Sequence, residues 1–306
     1  AVAARLGFSH ITVDLCDEFR RIVMQYFADS YISGETPNPC VYCNKAIKFG
    51  ALAEKIKEFG CDLIATGHYA RINKNDPSGR IMLERAVYTE KDQSYVLWQL
   101  SQAQLNAVLF PLGDYTKPQV RELAAENGFI SSDRPDSQDI CFVPDGCYRE
   151  FIEEFSGKKF APGDFVGTDG KLWGRHKGLI GYTIGQRKGL GIGGRKESLF
   201  VIGTDVEQNV VFVGEGDNHP GLYRKALRIE NAEVHWVEPC EALKVGEERR
   251  LKVRIRYRQP LEDATLIQRD DALYILFDQP QRGIAGGQFA AWYDGDELIG
   301  SGVIDA

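Results

Sequence analysis

At 306 residues, 43% of them hydrophobic and 26% charged, the chain is long enough for two domains, or for three small ones. No apolar run approaches the roughly 20 residues that cross a bilayer, and no secretory signal pattern opens the chain. Seven cysteines, an odd number, argue against a disulfide framework and for a reducing cytoplasm. The net charge of −7 neither points to nucleic acid nor excludes it, because binding rests on local patches.

The opening AVAARLGF reads as the end of a helix closed by Gly7, with no initiator Met and no leading strand. The expectation is that a preceding segment is missing. Phe19, Ile22, Val23, Tyr26 and Phe27 then mark one face of a helix, and Phe49, Leu52, Ala53, Ile56 and Phe59 mark another, capped by Gly60. DLIATGH (62–68) predicts a short buried strand. Ser101 with Gln104 resembles a capping box, and Thr116 with Pro118 opens a helix that stops at Gly128. Strands alternating with helices predict an α/β domain with a parallel sheet up to about residue 145.

Near residue 160 the composition changes. Eleven of the 32 glycines fall between Gly163 and Gly194, interleaved with Trp173, Leu179, Ile180, Tyr182 and Ile184, which predicts a small packed domain. Short β-type runs follow to the end, as in a small all-β barrel or sandwich. The predicted division is 1–145, 146–222 and 223–306.

Several segments could carry chemistry. Cys40 and Cys43 precede a helix in TPNPCVYCNKAIKF, where the helix dipole and Lys45 should lower a thiol pKa. The competing reading is half a structural zinc site, weakened by the absence of a second close cysteine pair. Cys141 lies in the polar loop DSQDICFVPDG; a buried core cysteine is the plainer alternative. GHY (67–69) ends a predicted strand, where α/β ligands gather, and His68 is equally readable as a satisfied histidine. KDQSY (91–95) is a polar cluster or a solvated turn. Gly189, Gly191 and Gly194 satisfy G-x-G-x-x-G only formally, because a strand and not a helix is expected next. Finally, Arg250, Lys252, Arg254, Arg256 and Arg258 alternate with apolar residues. Read as one strand, this puts five cations on one face, about 6.6 Å apart, a spacing suited to an RNA backbone. Arg175, Lys177, Arg187, Lys188, Arg195 and Lys196 add charge on the glycine-rich stretch.

Together TPNPCVYCNKAIKFG, DLIATGHYARI, KDQSYVLWQLS, LFPLGDYTKPQVRELA, DSQDICFV, GLIGYTIGQRKGLGIGG and RIRYRQ resemble, in order, the bacterial and mitochondrial tRNA-specific 2-thiouridylase (MnmA) family. The resemblance implies an α/β catalytic domain of the PP-loop ATP pyrophosphatase type, a small central tRNA-binding domain and a C-terminal β-barrel. It implies ATP-dependent replacement of the oxygen at position 2 of the wobble uridine of tRNA by a persulfide sulfur. It makes Cys43 the nucleophile and Cys141 the persulfide carrier. Asn38, Pro39 and Cys40 match the segment that touches the base. Gly67 matches an ATP contact, with Mg2+ accompanying the nucleotide, and His68, Lys91, Asp92, Gln93, Arg256, Tyr257 and Gln288 match tRNA contacts. A sulfur relay protein or cysteine desulfurase is the implied persulfide donor, and a Cys43–Cys141 disulfide the implied product.

Two departures stand out. The family's SGGVDS phosphate loop does not occur in this sequence, so the chain by itself is expected not to thiolate. Cys40 stands where many members carry Asp, which raises an alternative: a [4Fe–4S] cluster on Cys40, Cys43 and Cys141. The rival functional readings are a non-catalytic RNA-binding protein and a zinc-stabilised RNA module using Cys40 and Cys43.

Overall fold

The computed structural model describes residues 2–77, 79–129, 140–143 and 146–305. The first helical face forms as the spacing dictates. Residues 16–32 make one helix with a π-helical turn at Arg20–Met24, and Val23, Phe27 and Ala28 are its most buried side chains. A second helix runs over 39–57, with Pro39 in its first turn and a π-helical stretch at Cys43–Ala51. Gly60 ends it at φ 72°, with its N–H on the Lys57 carbonyl. Both predicted capping boxes are present: Ser101 with Gln104, and Thr116 with Gln119, the latter opening the helix Lys117–Glu126. Gly128 closes that helix at φ 63°.

The predicted buried strand over 62–68 is shorter and more exposed than expected. Strand β1 is Ile64–Ala65 only, and Leu63 is 51% exposed. Strands β2 (Ala70–Asn73) and β3 (Met82–Arg85) follow, and β4 (Val108–Leu109) pairs with β1 in parallel. Among the described residues this two-strand pair is the whole of that sheet. With no further strand beside it, little apolar surface is available to cover DLIATGH.

The glycine-rich region is a packed unit, as its interleaved aromatics require. Strands β5 (Gly163–Gly167), β6 (Leu172–His176), β7 (Leu199–Asp205) and β8 (Val210–Glu215) pair in the order β6-β5-β8-β7 over a core of Phe165, Leu190, Val201, Val211 and Val213. Gly194 leads into β7, so the formal glycine motif has no helix after it.

Strands β9 (Tyr223–Glu230), β10 (Val234–Trp236), β11 (Glu248–Arg254), β12 (Glu262–Gln268), β13 (Ala272–Arg282), β14 (Phe289–Asp294) and β15 (Glu297–Val303) build the C-terminal barrel. Its core is Ile229, Val253, Leu266, Ile275, Phe277 and Trp292, and Asp305 closes it by bonding back to Arg228. The β2–β3 hairpin joins this sheet through β3 and β15, so the N-terminal part and the barrel share one continuous sheet.

The basic run at 250–258 departs from the expected single face. The strand ends at Arg254, whose side chain is 3% exposed. Arg250 is bidentate on Asp278 at 2.6 and 2.7 Å, and Lys252 pairs with Asp263 at 3.0 Å. The acidic partners sit on β12 and β13, where a scan along one strand does not see them. Arg254 therefore does not face RNA, and the first three cations of the run are already matched by carboxylates.

Candidate active site

Two cysteine-bearing segments are anchored on the 16–32 helix. Phe142, next to Cys141, packs edge-on against Phe19 at 5.6 Å and Phe27 at 5.2 Å. On the other segment Tyr42, between Cys40 and Cys43, lies 3.9 Å from the ring of Tyr26. One helix thereby brings residues a hundred positions apart to one place. Cys141 is close enough that its charge raises the thiol pKa of both Cys40 and Cys43. Asp136 to Asp139 of the DSQDICFV string lie outside the described residues, as do Pro144 and Asp145 of the following turn.

The thiol electrostatics reverse the expectation drawn from the helix terminus. Burial pushes Cys43 up, with Cys40 and Cys141 adding to it, and Lys48 opposes the rise. Cys40 keeps surface open to solvent, yet the groups packed around its sulfur also push it up, with Cys141 adding and Lys48 opposing. Cys43 lies a full turn inside the helix, where lost hydration outweighs the dipole. Alkylation of Cys43 should therefore rise with pH through a midpoint above the ordinary thiol value of about 8.5. Lys48→Gln should move that midpoint higher still, read by mass spectrometry of the Cys43 peptide. A midpoint below the ordinary value would contradict the electrostatics described here.

The approach to Cys40 is clamped by the barrel. Gln288 donates through its side-chain amide to the carbonyls of Thr36 at 3.0 Å and Pro37 at 3.4 Å, and the Thr36 N–H bonds to the Gly286 carbonyl at 2.8 Å. Gly287 sits at φ 80° with Glu35 close by; a Cβ there would lie 2.7 Å from the Cβ of Glu35. The Tyr26 hydroxyl holds the Asn38 backbone from the other side. Asn38 is half-buried and Pro39 buried. Gln288 thus positions TPNPC with its side-chain amide.

Gly67 is exposed directly after β1, at the carboxyl end of the parallel pair, where α/β folds take their ligands. The same loop turns His68 inward. Its ring bonds to the Thr66 hydroxyl at 2.7 Å and packs between Phe49 and Phe110, and burial together with Lys48 lowers its pKa to about 4. The imidazole is neutral and only 7% exposed, packed into the fold. Lys48 acts on Cys40, Cys43 and His68 alike, so the strand end and the thiols adjoin.

Asp92 is likewise drawn into the fold. It is 2% exposed, and its carboxylate accepts from Arg254 at 2.5 Å, from the Ser94 hydroxyl at 2.9 Å and from the Ala86 N–H at 3.0 Å. Gln93 exchanges bonds with Tyr69, its side-chain oxygen accepting from the Tyr69 N–H at 3.0 Å. Lys91 and Tyr257 are half-buried. Arg256 is exposed, and its guanidinium donates to the carbonyls of Arg282 and Gly283. Sequence reasoning missed Lys48, Tyr26 and the Arg254–Asp92 pair. Lys48 was legible beside the two cysteines, whereas the other two acquire their roles only across the fold.

Among the described residues no three His, Cys, Asp or Glu side chains are arranged to hold a metal ion, and no disulfide joins the cysteines. Cys40, Cys43 and Cys141 share a neighbourhood in the fold. No helix among the described residues is long and apolar enough to cross a membrane.

Comparison with known proteins agrees with this architecture. The tRNA methyl transferase HUP domain model matches residues 1–145 and the tRNA methyl transferase PRC-barrel domain model residues 149–215; the aminomethyltransferase beta-barrel domain model matches residues 224–304. Similar over nearly all of the chain are proteins named tRNA-specific 2-thiouridylase MnmA. The one from Christiangramia forsetii is 42% identical over 339 residues, covering 99% of this chain and 85% of its own. The Clostridioides difficile protein is 40% identical, covering 99% and 82%. The Levilactobacillus brevis protein is 43% identical, covering 100% and 81%. The domain descriptions speak of methyl and aminomethyl transfer, but relatives that share the chain from end to end carry one name, and the chain belongs to the tRNA-specific 2-thiouridylase family.

Proposed function

We propose that the protein is a tRNA 2-thiouridylase, a sulfurtransferase that acts on the wobble uridine at the expense of ATP. The observation that carries the reading is the meeting of Cys43 and Cys141 beside the clamped TPNPC segment, with Lys48 and the Gly67 strand end adjoining. ATP makes the uracil oxygen at position 2 a leaving group by adenylation, since a sulfur nucleophile does not displace an amide-like oxygen unaided. Cys141 carries the sulfane sulfur as a persulfide delivered by a relay protein or desulfurase. That sulfur bonds to carbon 2 as the oxygen departs with AMP. The Cys43 thiolate then attacks the Cys141 sulfur and takes over its bond, leaving the transferred sulfur on the base and a Cys43–Cys141 disulfide. An external thiol reduces this disulfide before the next cycle.

Asn38, Pro39 and Cys40 form the segment that the base meets, Gly67 offers its backbone to the nucleotide, and Lys91, Gln93, Arg256 and Tyr257 remain the candidates for tRNA. The persulfide route is preferred to a cluster because it needs two neighbouring thiols and no third ligand. The high Cys43 pKa suits a resolving thiol that stays protonated until the persulfide step needs it. The direct test is the source cell itself: deleting the gene should remove 2-thiouridine from its tRNA hydrolysate, measured by mass spectrometry. Unchanged 2-thiouridine would leave only an RNA-binding role.

A further inference from the structure

We propose that the cleft at the end of the barrel lined by Arg256, Arg258 and Arg282 is a phosphodiester-binding subsite for the tRNA backbone, with Arg258 and Arg282 as its donors. The proposal rests on the tRNA reading above and adds to it a site and two residues. The cleft has a volume of about 510 Å3, and its walls carry three guanidiniums against one carboxylate, Glu262. Its charges are unlike those of Arg250 and Lys252 on the same chain segment, which carboxylates already match.

The donors are free where a ligand would need them. Arg258 is exposed, and among the described residues it makes no ion pair with a carboxylate. Arg282 lies over the Phe200 ring at 4.6 Å, and its Nε and one Nη have no hydrogen-bond partner although both atoms are shielded from solvent. Its nearest carboxylate, Asp217, stands at 3.6 Å, beyond hydrogen-bond length. A buried guanidinium N–H without a partner is costly, and an anion entering the cleft would satisfy it. Burial of the Arg256 guanidinium, together with the charge of Arg282, lowers the pKa of Arg256.

The rest of the wall is already committed and therefore rigid. Arg256 braces the carbonyls of Arg282 and Gly283, and Gln259 bonds to Gln281 at 2.7 Å. Gly283 approaches the backbone of Ile184 and Gly185, so the cleft opens beside the glycine-rich loop that carries Arg187 and Lys188. Two basic segments far apart in sequence thus meet at one edge. A planar guanidinium fork on each side of a concave floor matches a phosphodiester oxygen pair better than a point charge would.

The test is binding of unmodified tRNA to the whole chain across a salt series. Wild-type binding that weakens with salt supports the underlying tRNA reading. Arg258→Gln and Arg282→Gln should each lower the slope of log affinity against log salt by about 0.7 to 0.9, one phosphate contact apiece. Arg250→Gln, which removes a charge that Asp278 already matches, should leave the slope unchanged. Arg258 is exposed, so its variant remains informative if Arg282→Gln unfolds. An unchanged slope in Arg258→Gln overturns the subsite while leaving the tRNA reading intact; so does an equal fall in Arg250→Gln, which would mean a general field effect. If inorganic phosphate displaces tRNA from wild type but not from Arg258→Gln at matched ionic strength, the two compete for the cleft and the subsite is supported; equal displacement from both would mean a general salt effect and overturn it. Absence of any tRNA binding by wild type would instead bring down the functional reading itself.

Discussion

Cys141→Ser and Cys43→Ser, placed singly in the chromosomal gene, should each remove 2-thiouridine from cellular tRNA, while Cys40→Ala leaves most of it. The first two take away the sulfur carrier and the thiol that resolves it, and loss of a covalent group costs on the order of 10³-fold or more in rate. Cys40 is exposed at the first turn of its helix and has no place in the two-thiol cycle. All three proteins should bind tRNA as wild type does, because none of the substitutions removes a cation. Retained thiolation in Cys141→Ser would end the persulfide assignment. Loss of activity in all three variants, accompanied by loss of iron after anaerobic reconstitution, would favour the cluster alternative.

Arg254→Ala should be among the most destabilising single changes in the protein, by about 3 to 5 kcal/mol in urea unfolding. The Arg254 guanidinium and the Asp92 carboxylate are 4% and 0% exposed, and their 2.5 Å contact joins the KDQSY segment to the barrel wall. The Tyr293 hydroxyl accepts at 2.6 Å from the same guanidinium nitrogen, and Tyr95 and Tyr293 offer their ring faces. Removing the cation leaves a carboxylate in the interior with backbone donors and the Ser94 hydroxyl as its remaining partners. The double variant Arg254→Met with Asp92→Asn should lose less than Arg254→Ala alone, since it leaves no unpaired charge while the Asn oxygen still accepts from Ala86 and Ser94. A loss below about 1 kcal/mol in Arg254→Ala would show that water reaches this pair. Because Gln93 and Lys91 flank Asp92, the single variant should also weaken tRNA binding beyond the loss of one surface charge.

Local order was legible in the sequence. The apolar spacing of Phe19 to Phe27, the caps at Ser101 and Thr116, and the stops at Gly60 and Gly128 each depend on residues within a turn or two of one another. The packed glycine-rich unit and the barrel were readable from interleaved aromatics and short β-runs. The chemical assignment of Cys43 and Cys141 came from the order of seven strings and not from any property of the thiols themselves.

Tertiary structure decided what those residues do once gathered. Sequence put five cations on one face, but the fold ended the strand at Arg254, buried it on Asp92, and matched Arg250 and Lys252 with carboxylates from neighbouring strands. It turned His68 inward, spent the Gln288 amide on holding Thr36 and Pro37, and raised the pKa of a thiol that a helix terminus was expected to lower. The reason is common to all of these. Hydration, counter-charge and hydrogen-bond partners are set by residues that the fold brings together from other elements, and a one-dimensional pattern carries periodicity and local caps but not the identity of those neighbours.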